Sequence, residues 1–443
     1  MKLYALHLYN TAHFPRLTLN TNDYNITVIS GAQGSGKTSI LRHLYHALTW
    51  FQSRYRDLRT PGVVMLNHEI YDQANASLLG ITVKIPDALH QFAQILNEQE
   101  RLAKVYSWQL RRTQHPTNSI STVETAQLEN LVKLYQQVLK HDPDYGLPLI
   151  AYYPAERFIN EVNLLSKNNP QVLQALHAYD LASIPYTTFS RFFEWLREIH
   201  DIENAHSARY LEQLSQIDLT DFQAEFQLKP LRPHLDALKR SLNIVLPEIE
   251  DLILEYQPKI QLKVKLQGQV LLYQQLSNSL KIWIALVGDI VRRLCVLNPE
   301  QLDPCLVGEG ILMIDQIEQQ LDEQHCLEIL PRLERAFPQL QIIVSTSQAD
   351  ILAQSSRYQY LKLEQRQLEA VQSDAQILDE HYHDLYAHLL ESAEPLLAHP
   401  QEQYEQLLTQ IQNALSPEQQ QQLILDLQNG SQVTENLKIP DSH

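Results

Sequence analysis

Gly31-Ala32-Gln33-Gly34-Ser35-Gly36-Lys37-Thr38 decides how this chain is read. The stretch fits the phosphate-binding pattern G-x-x-x-x-G-K-[ST]. The 443-residue sequence holds only 11 glycines, and three of them fall in these eight positions. Glycine concentrated in this way lets successive backbone N–H groups turn inward around a phosphate. Lys37 is placed to reach the β- and γ-phosphates and Thr38 to ligate Mg²⁺. The expected cofactors are ATP and Mg²⁺. Gly31, Gln33, Gly34, Ser35, Gly36, Lys37, Thr38 and Ser39 form the nucleotide-binding set.

The flanks agree with the motif. Ile26-Thr27-Val28-Ile29-Ser30 is an apolar, β-branched run that reads as a buried strand. From Ser39 to Trp50, Ile40, Leu41, Leu44 and Leu48 recur on one helical face. A helix starting at the loop adds its positive end to the anion site.

The totals set bounds. With 52 acidic and 35 basic residues the formal charge is −17, which speaks against a surface devoted to nucleic acid, though a local basic groove remains compatible. Cys295, Cys305 and Cys326 make no metal-spaced pair and no even framework, so free thiols in a reducing cytoplasm are expected. The N-terminal residues lack the order of a secretory leader. No apolar run approaches the roughly 18 residues a membrane span needs.

Along the chain, Leu3 to Leu8, Arg16 to Asn20 and residues 79–85 read as further strands around the P-loop, and residues 1–86 as a first lobe. Phe92, Ile95, Leu96, Leu102, Tyr106 and Leu110, then Leu128, Leu131, Tyr135, Val138 and Leu139, recur at helical spacing about a turn at residues 115–119. Residues 87–145 are therefore expected to be an inserted helical hairpin. A return strand is expected within 146–160, and a helical subdomain over 161–245 with Phe192, Phe193, Trp195, Leu196 and Ile199 in its core. A second lobe, 246–372, contains a β-hairpin near 260–273, a helix from Ser279 to Val296, and strands at Ile311–Asp315, Gln341–Ser345 and Tyr358–Leu363. The helix between the first two of those strands, residues 322–336, implies a right-handed crossover in a parallel sheet. Residues 373–431 read as glutamine-rich helix and a partner-binding region, with a helix start at Ser416-Pro417-Glu418-Gln419, and 432–443 as a disordered tail.

A P-loop needs a carboxylate at the end of a neighbouring strand to hold Mg²⁺ through water, and Asp315 is that candidate, alongside Thr38 as metal ligand. Leu276-Ser277-Asn278-Ser279, just before a helix, has the spacing of the signature segment of ABC-type ATPase heads. In such heads the serine and helix N-terminus meet the γ-phosphate of a partner subunit's nucleotide, so Ser277 is expected to act in trans.

In this combination the chain resembles the bacterial ABC-type AAA-family ATPases of anti-phage defence, the PtuA-type proteins of Septu and retron systems, and more distantly RecF, OLD-type and SMC heads. The resemblance rests on the P-loop, Leu147-Pro148-Leu149-Ile150-Ala151-Tyr152-Tyr153-Pro154, Phe192-Phe193-Glu194-Trp195-Leu196-Arg197-Glu198, Leu276-Ser277, the run Ala285 to Leu294, Gly308-Glu309-Gly310, and Ala336 to Ser347. It covers roughly residues 1–360. It implies an α/β P-loop NTPase of the ABC-head type, with a mixed sheet around a parallel core and helical insertions. It also implies assembly as an ATP-sandwich dimer or higher homo-oligomer, and a protein effector such as an HNH-type nuclease.

The chain departs from that family where water is activated. Family members follow the strand Asp with a Glu, and Gln316 stands there; they end the next strand in a His, and Ser347 stands there. A carboxamide can hold a water but cannot accept its proton, and losing one such group costs roughly 10²–10⁴-fold in rate. Slow or absent hydrolysis is the expectation, with Glu318 as the competing candidate base. The signature glycine is replaced by Ser279 and the acid after it by Leu280.

Other candidates are weaker. His381, His383, Asp384 and His388 lack a metal-binding spacing. Arg111-Arg112, then Lys229, Arg232, Lys239 and Arg240, then Lys259, Lys263 and Lys265, leave two readings open, a DNA-facing groove and a solvated face. Tyr152, Tyr153 and Arg157 lie at the end of a strand near the presumed nucleotide, placed to sense it, with core packing as the alternative for the tyrosines. The functional expectation is an ATP-dependent sensor or scaffold that controls an effector. The rivals are a DNA-repair or chromosome-maintenance ATPase, and a degenerate subunit that pairs with an active paralogue.

Overall fold

The protein is described by a computed structural model over residues 1–72, 74–96, 103–114, 119–142, 144–157, 179, 189–215, 232–352 and 355–372. The expected helical tail, the histidines near 381–388, Lys229 and much of the 161–245 subdomain lie outside these residues.

The helix after the P-loop, α1 (Lys37–Arg56), lies between two sheets. One sheet is antiparallel, in the order β2 (Phe14–Asn20), β1 (Lys2–Thr11), β4 (Ala76–Lys84), β5 (Val105–Gln114), β6 (Ser119–Glu124). The other runs β14 (Gln367–Ala370), β13 (Tyr358–Glu364), β3 (Ile26–Ser30), β12 (Leu340–Thr346), β11 (Gly310–Ile314), β7 (Leu149–Tyr153). Only β14 in that sheet is antiparallel to its neighbour. β11 and β12 are buried at every position, as strands covered on both faces must be. Trp108 donates to the Ala47 carbonyl at 3.0 Å and Gln52 to the Ile150 carbonyl at 3.0 Å, so α1 bonds to a strand of each sheet.

The second lobe adds a small sheet, β8 (Ile249–Glu255), β9 (Gln261–Leu266) and β10 (Gln269–Leu272). The helix Asn278–Leu297 follows, with every residue from Ile282 onward buried. Its Asp289 receives Arg292 at 2.9 Å, Arg293 at 2.8 Å and the Tyr153 hydroxyl at 2.9 Å, which ties the helix to the end of β7. Burial alone would raise the Asp289 pKa, but Arg293 and Arg292 hold it well below the carboxylate range.

Two regions differ from expectation. Residues 87–145 are not a helical hairpin: helices Asp87–Leu96 and Ala126–His141 flank two strands, β5 and β6, that extend the antiparallel sheet. Tyr106 and Leu110 are four apart, a spacing that fits one helical turn and also two strand periods. Trp108 between them is buried too, while Val105 and Gln109 are exposed, and this alternation is that of a strand. Strand β8 was not anticipated either.

Candidate nucleotide-binding site

The site forms at the carboxyl ends of the parallel strands, where open α/β sheets place their ligands. β3 runs into the P-loop, β11 leads directly into Asp315, and β12 lies between them. In the loop, Gly34 and Gly36 take φ of +79° and +112°, a region that L side chains rarely adopt. A Cβ on Gly36 would stand 1.9 Å from His13 Nε2, so the loop also packs against the tip of the β1–β2 hairpin.

Lys37 is 5% exposed, and its ammonium donates to the Gly31 carbonyl at 2.6 Å and the Ala32 carbonyl at 2.8 Å. Burial lowers its pKa, while Glu318 and then Asp315 pull it back up. Thr38 is exposed in the first turn of α1, and Gln33 and Gly34 at the loop crest.

Asp315 is fully buried. Its Oδ1 accepts from the Ser345 hydroxyl, and Ser345 Oγ in turn accepts from the Gln316 backbone N–H at 2.8 Å. Asp315 Oδ2, Ser35 Oγ and Glu318 Oε2 are buried with no hydrogen-bond partner among the described residues. Buried polar atoms are ordinarily paired. Orphaned oxygens around a lysine and a strand-end carboxylate fit an ATP–Mg²⁺ site, with Thr38 and Asp315 for the metal and Lys37 with the loop for the phosphates.

The turn after Asp315 is gripped from behind. Arg157 is 3% exposed and donates to the carbonyls of Asp315 at 2.7 Å, Gln316 at 3.1 Å and Gln319 at 3.4 Å. Burial pushes its pKa down to about 10, so it keeps its charge at neutral pH. Gln316 has a left-handed backbone, φ +45°, and its carboxamide oxygen accepts from Gln319. Ser347 is exposed, and both its backbone N–H (2.9 Å) and its hydroxyl (2.8 Å) donate to Glu318 Oε1.

The structure thus brings Lys37, Asp315, Gln316, Glu318 and Ser347 to one site. Ser277 is not among them: it is exposed and caps its own helix, accepting from the Leu280 N–H at 3.3 Å. Ser279 donates to the Gln320 carbonyl, which joins the start of that helix to the turn after Asp315. Two contributors went unread in the sequence. Ser345 is a polar residue at the end of an apolar strand, a signal that was available. Arg157 reads in the sequence as a nucleotide sensor, and its grip on a turn more than 150 residues away has no local signature.

Four residues of the basic clusters sit in ion pairs. Lys239 pairs with Asp251 at 3.0 Å and Lys263 with Glu255 at 2.7 Å, while Arg240 meets Asp303 and Lys265 meets Glu250. No helix among the described residues is long and apolar enough to cross a membrane. No group of three or more metal-ligating side chains occurs among those residues.

With this geometry established, the chain belongs to the family described as AAA domain, which matches residues 5–269. It is 25% identical over 378 residues to the retron Vc95 probable ATPase of Vibrio cholerae serotype O1 biovar El Tor, covering 78% of this chain and 70% of that protein. It is 26% identical over 397 residues to the retron Ec83 probable ATPase of Escherichia coli, covering 78% and 68%. Among solved structures, an SMC head bound to the C-winged helix domain of ScpA aligns at TM-score 0.47 and 11% identity over 84% of this chain and 98% of that one. The SMC head domain from Thermotoga maritima aligns at 0.40 and 12%, over 84% and 100%. The resemblance to retron-associated ATPases is borne out.

Proposed function

We propose that this AAA-domain protein binds ATP with Mg²⁺ as a slowly hydrolysed ligand, and that the bound nucleotide sets its assembly with a protein effector. The observation that carries the reading is the split character of the site. Lys37 and Asp315 are in place with an orphaned carboxylate oxygen between strand ends, while a carboxamide, Gln316, follows the metal-binding Asp. ATP would favour a closed state through contacts made only in that state, as any ligand must to shift a conformational equilibrium. Ser277, exposed at a helix N-terminus, is suited to meet the nucleotide of a second copy. The relatives' description as retron probable ATPases supports a defence role, and the family resemblance read in the sequence suggests an HNH-type nuclease as the effector. A DNA-driven ATPase has less support, because Lys239, Arg240, Lys263 and Lys265 each already have a carboxylate partner.

Light scattering tests the reading. The mass of the purified chain should rise with Mg²⁺–ATP, not with ADP, and Lys37→Ala should remove the rise. A mass indifferent to nucleotide, or a rise retained in Lys37→Ala, would refute it.

A further inference from the structure

We infer that Glu318, held by Ser347, is the proton acceptor for the slow hydrolysis at this site, in place of the carboxylate missing at Gln316. The inference rests on the ATP-binding reading above and adds the residue that limits its lifetime.

Three observations lead to it. First, Glu318 belongs to the same site as the P-loop lysine: it lies in the turn three residues beyond Asp315, and its charge, like that of Asp315, acts on Lys37. Second, its two oxygens are in different states. Oε1 accepts both the backbone N–H and the hydroxyl of Ser347, whereas Oε2 is buried and has no partner among the described residues. One oxygen is fixed and the other is left to accept, as a proton acceptor requires. Third, the alternative is engaged elsewhere, because the Gln316 carboxamide oxygen already accepts from Gln319 and cannot take up a proton in any case.

The two departures from the family pattern then form one device. The serine at the end of β12 is the residue that holds the carboxylate three positions beyond Asp315. In the step, a water oxygen bonds to the γ-phosphorus as Glu318 Oε2 takes the water's proton. The bond from the γ-phosphorus to the bridging oxygen breaks, its electron pair stays with ADP, and inorganic phosphate leaves. Ser347 is a positioning residue.

The experiment compares wild type, Lys37→Ala, Glu318→Gln, Ser347→Ala and Ser347→Thr in phosphate release and in equilibrium binding of a fluorescent N-methylanthraniloyl ATP, after a thermal melt shows each is folded. Glu318→Gln should lose tenfold or more in turnover while binding the analogue as tightly as wild type or tighter, because a negative charge beside a triphosphate is removed. Ser347→Ala should lose turnover in the same direction, and Ser347→Thr should restore it. The inference is overturned by turnover within threefold of wild type in Glu318→Gln, by weakened binding in that variant, or by wild-type turnover no faster than Lys37→Ala. If wild type binds the analogue and Lys37→Ala does not, such a result removes the role of Glu318 and leaves the ATP-binding reading intact. If Lys37→Ala binds as well as wild type, both fall.

Discussion

Lys37, at the start of α1, and Asp315, just past the end of β11, are 5% and 0% exposed, whereas Gln316 and Glu318 are half-buried in a turn and Ser347 is exposed just beyond β12. The first pair is buried at strand and loop ends: loop carbonyls hold the ammonium, and the carboxylate follows a fully buried strand with one oxygen on the Ser345 hydroxyl. The second group is more open to solvent and is held largely through side chains, Ser347 on Glu318 by its hydroxyl and its backbone N–H, and Gln319 on Gln316. Under the proposed function, the first half would bind phosphate and the second would control hydrolysis, open to retuning by a few substitutions. This is the division expected where nucleotide serves as a lasting ligand.

The largest effect should come from the support beneath the first half. Asp289→Asn takes away the carboxylate shared by two buried guanidiniums, and breaking a buried pair in this way costs about 3–5 kcal/mol. Chemical denaturation should show a loss of that size, and a loss under 1 kcal/mol would mean the helix is not anchored to β7 through this network. Next, Lys37→Ala removes charge-assisted phosphate contacts worth roughly 1.5–3 kcal/mol each, so ATP affinity should fall by about 100-fold in a fluorescence titration. A drop of less than tenfold would dissolve the contrast between the halves. Gly36→Ala would force a left-handed backbone on alanine and drive its Cβ into His13, a strain of about 1–3 kcal/mol. Its melting temperature and ATP affinity should fall together, and an unchanged melt would show that the loop is softer than its packing implies.

A pH effect follows from α1. Burial, with His43 adding to it, pushes the His46 pKa down to about 4. Between about 6.5, the ordinary histidine value, and 4 the unfolded chain takes up a proton that the folded chain refuses. Stability should therefore fall as pH drops through that window and level off below it, and His46→Gln should flatten the slope. Melting curves from pH 7 to 4 check this, and identical slopes would assign the acid sensitivity elsewhere. The smallest effect should be that of Ser277→Ala, about 1 kcal/mol from a lost helix cap. If it also abolishes nucleotide-dependent assembly while ATP binding by the single chain persists, Ser277 acts in trans as proposed.

Much of this was legible from residues alone. A P-loop between an apolar strand and an amphipathic helix carries its own context, and the strand ending in Asp315 is buried at every position. Residues 105–114 were misread because Tyr106 and Leu110 satisfy two periods, and only pairing with β4 selects the strand. β8 escaped because Ile249-Glu250-Asp251-Leu252-Ile253-Leu254-Glu255 does not alternate cleanly and shifts register against β9. The hydrolytic half was readable as a set of substitutions at Gln316 and Ser347. That Ser347 holds Glu318 was not, because the two are 29 residues apart and meet only when β11 and β12 pair.

The most direct test of the account is the fate of ATP once bound, measured by rapid quench with labelled ATP and excess protein, for wild type and Gln316→Glu. The account predicts that wild type converts ATP far more slowly than the ~10 s⁻¹ typical of enzymes. It also predicts that restoring a carboxylate beside Asp315 speeds conversion by roughly 10²-fold, the scale of one added general base. Conversion by wild type at ordinary enzymatic rates, with no gain in Gln316→Glu, would contradict it and make the protein a working ATPase rather than an ATP-held switch.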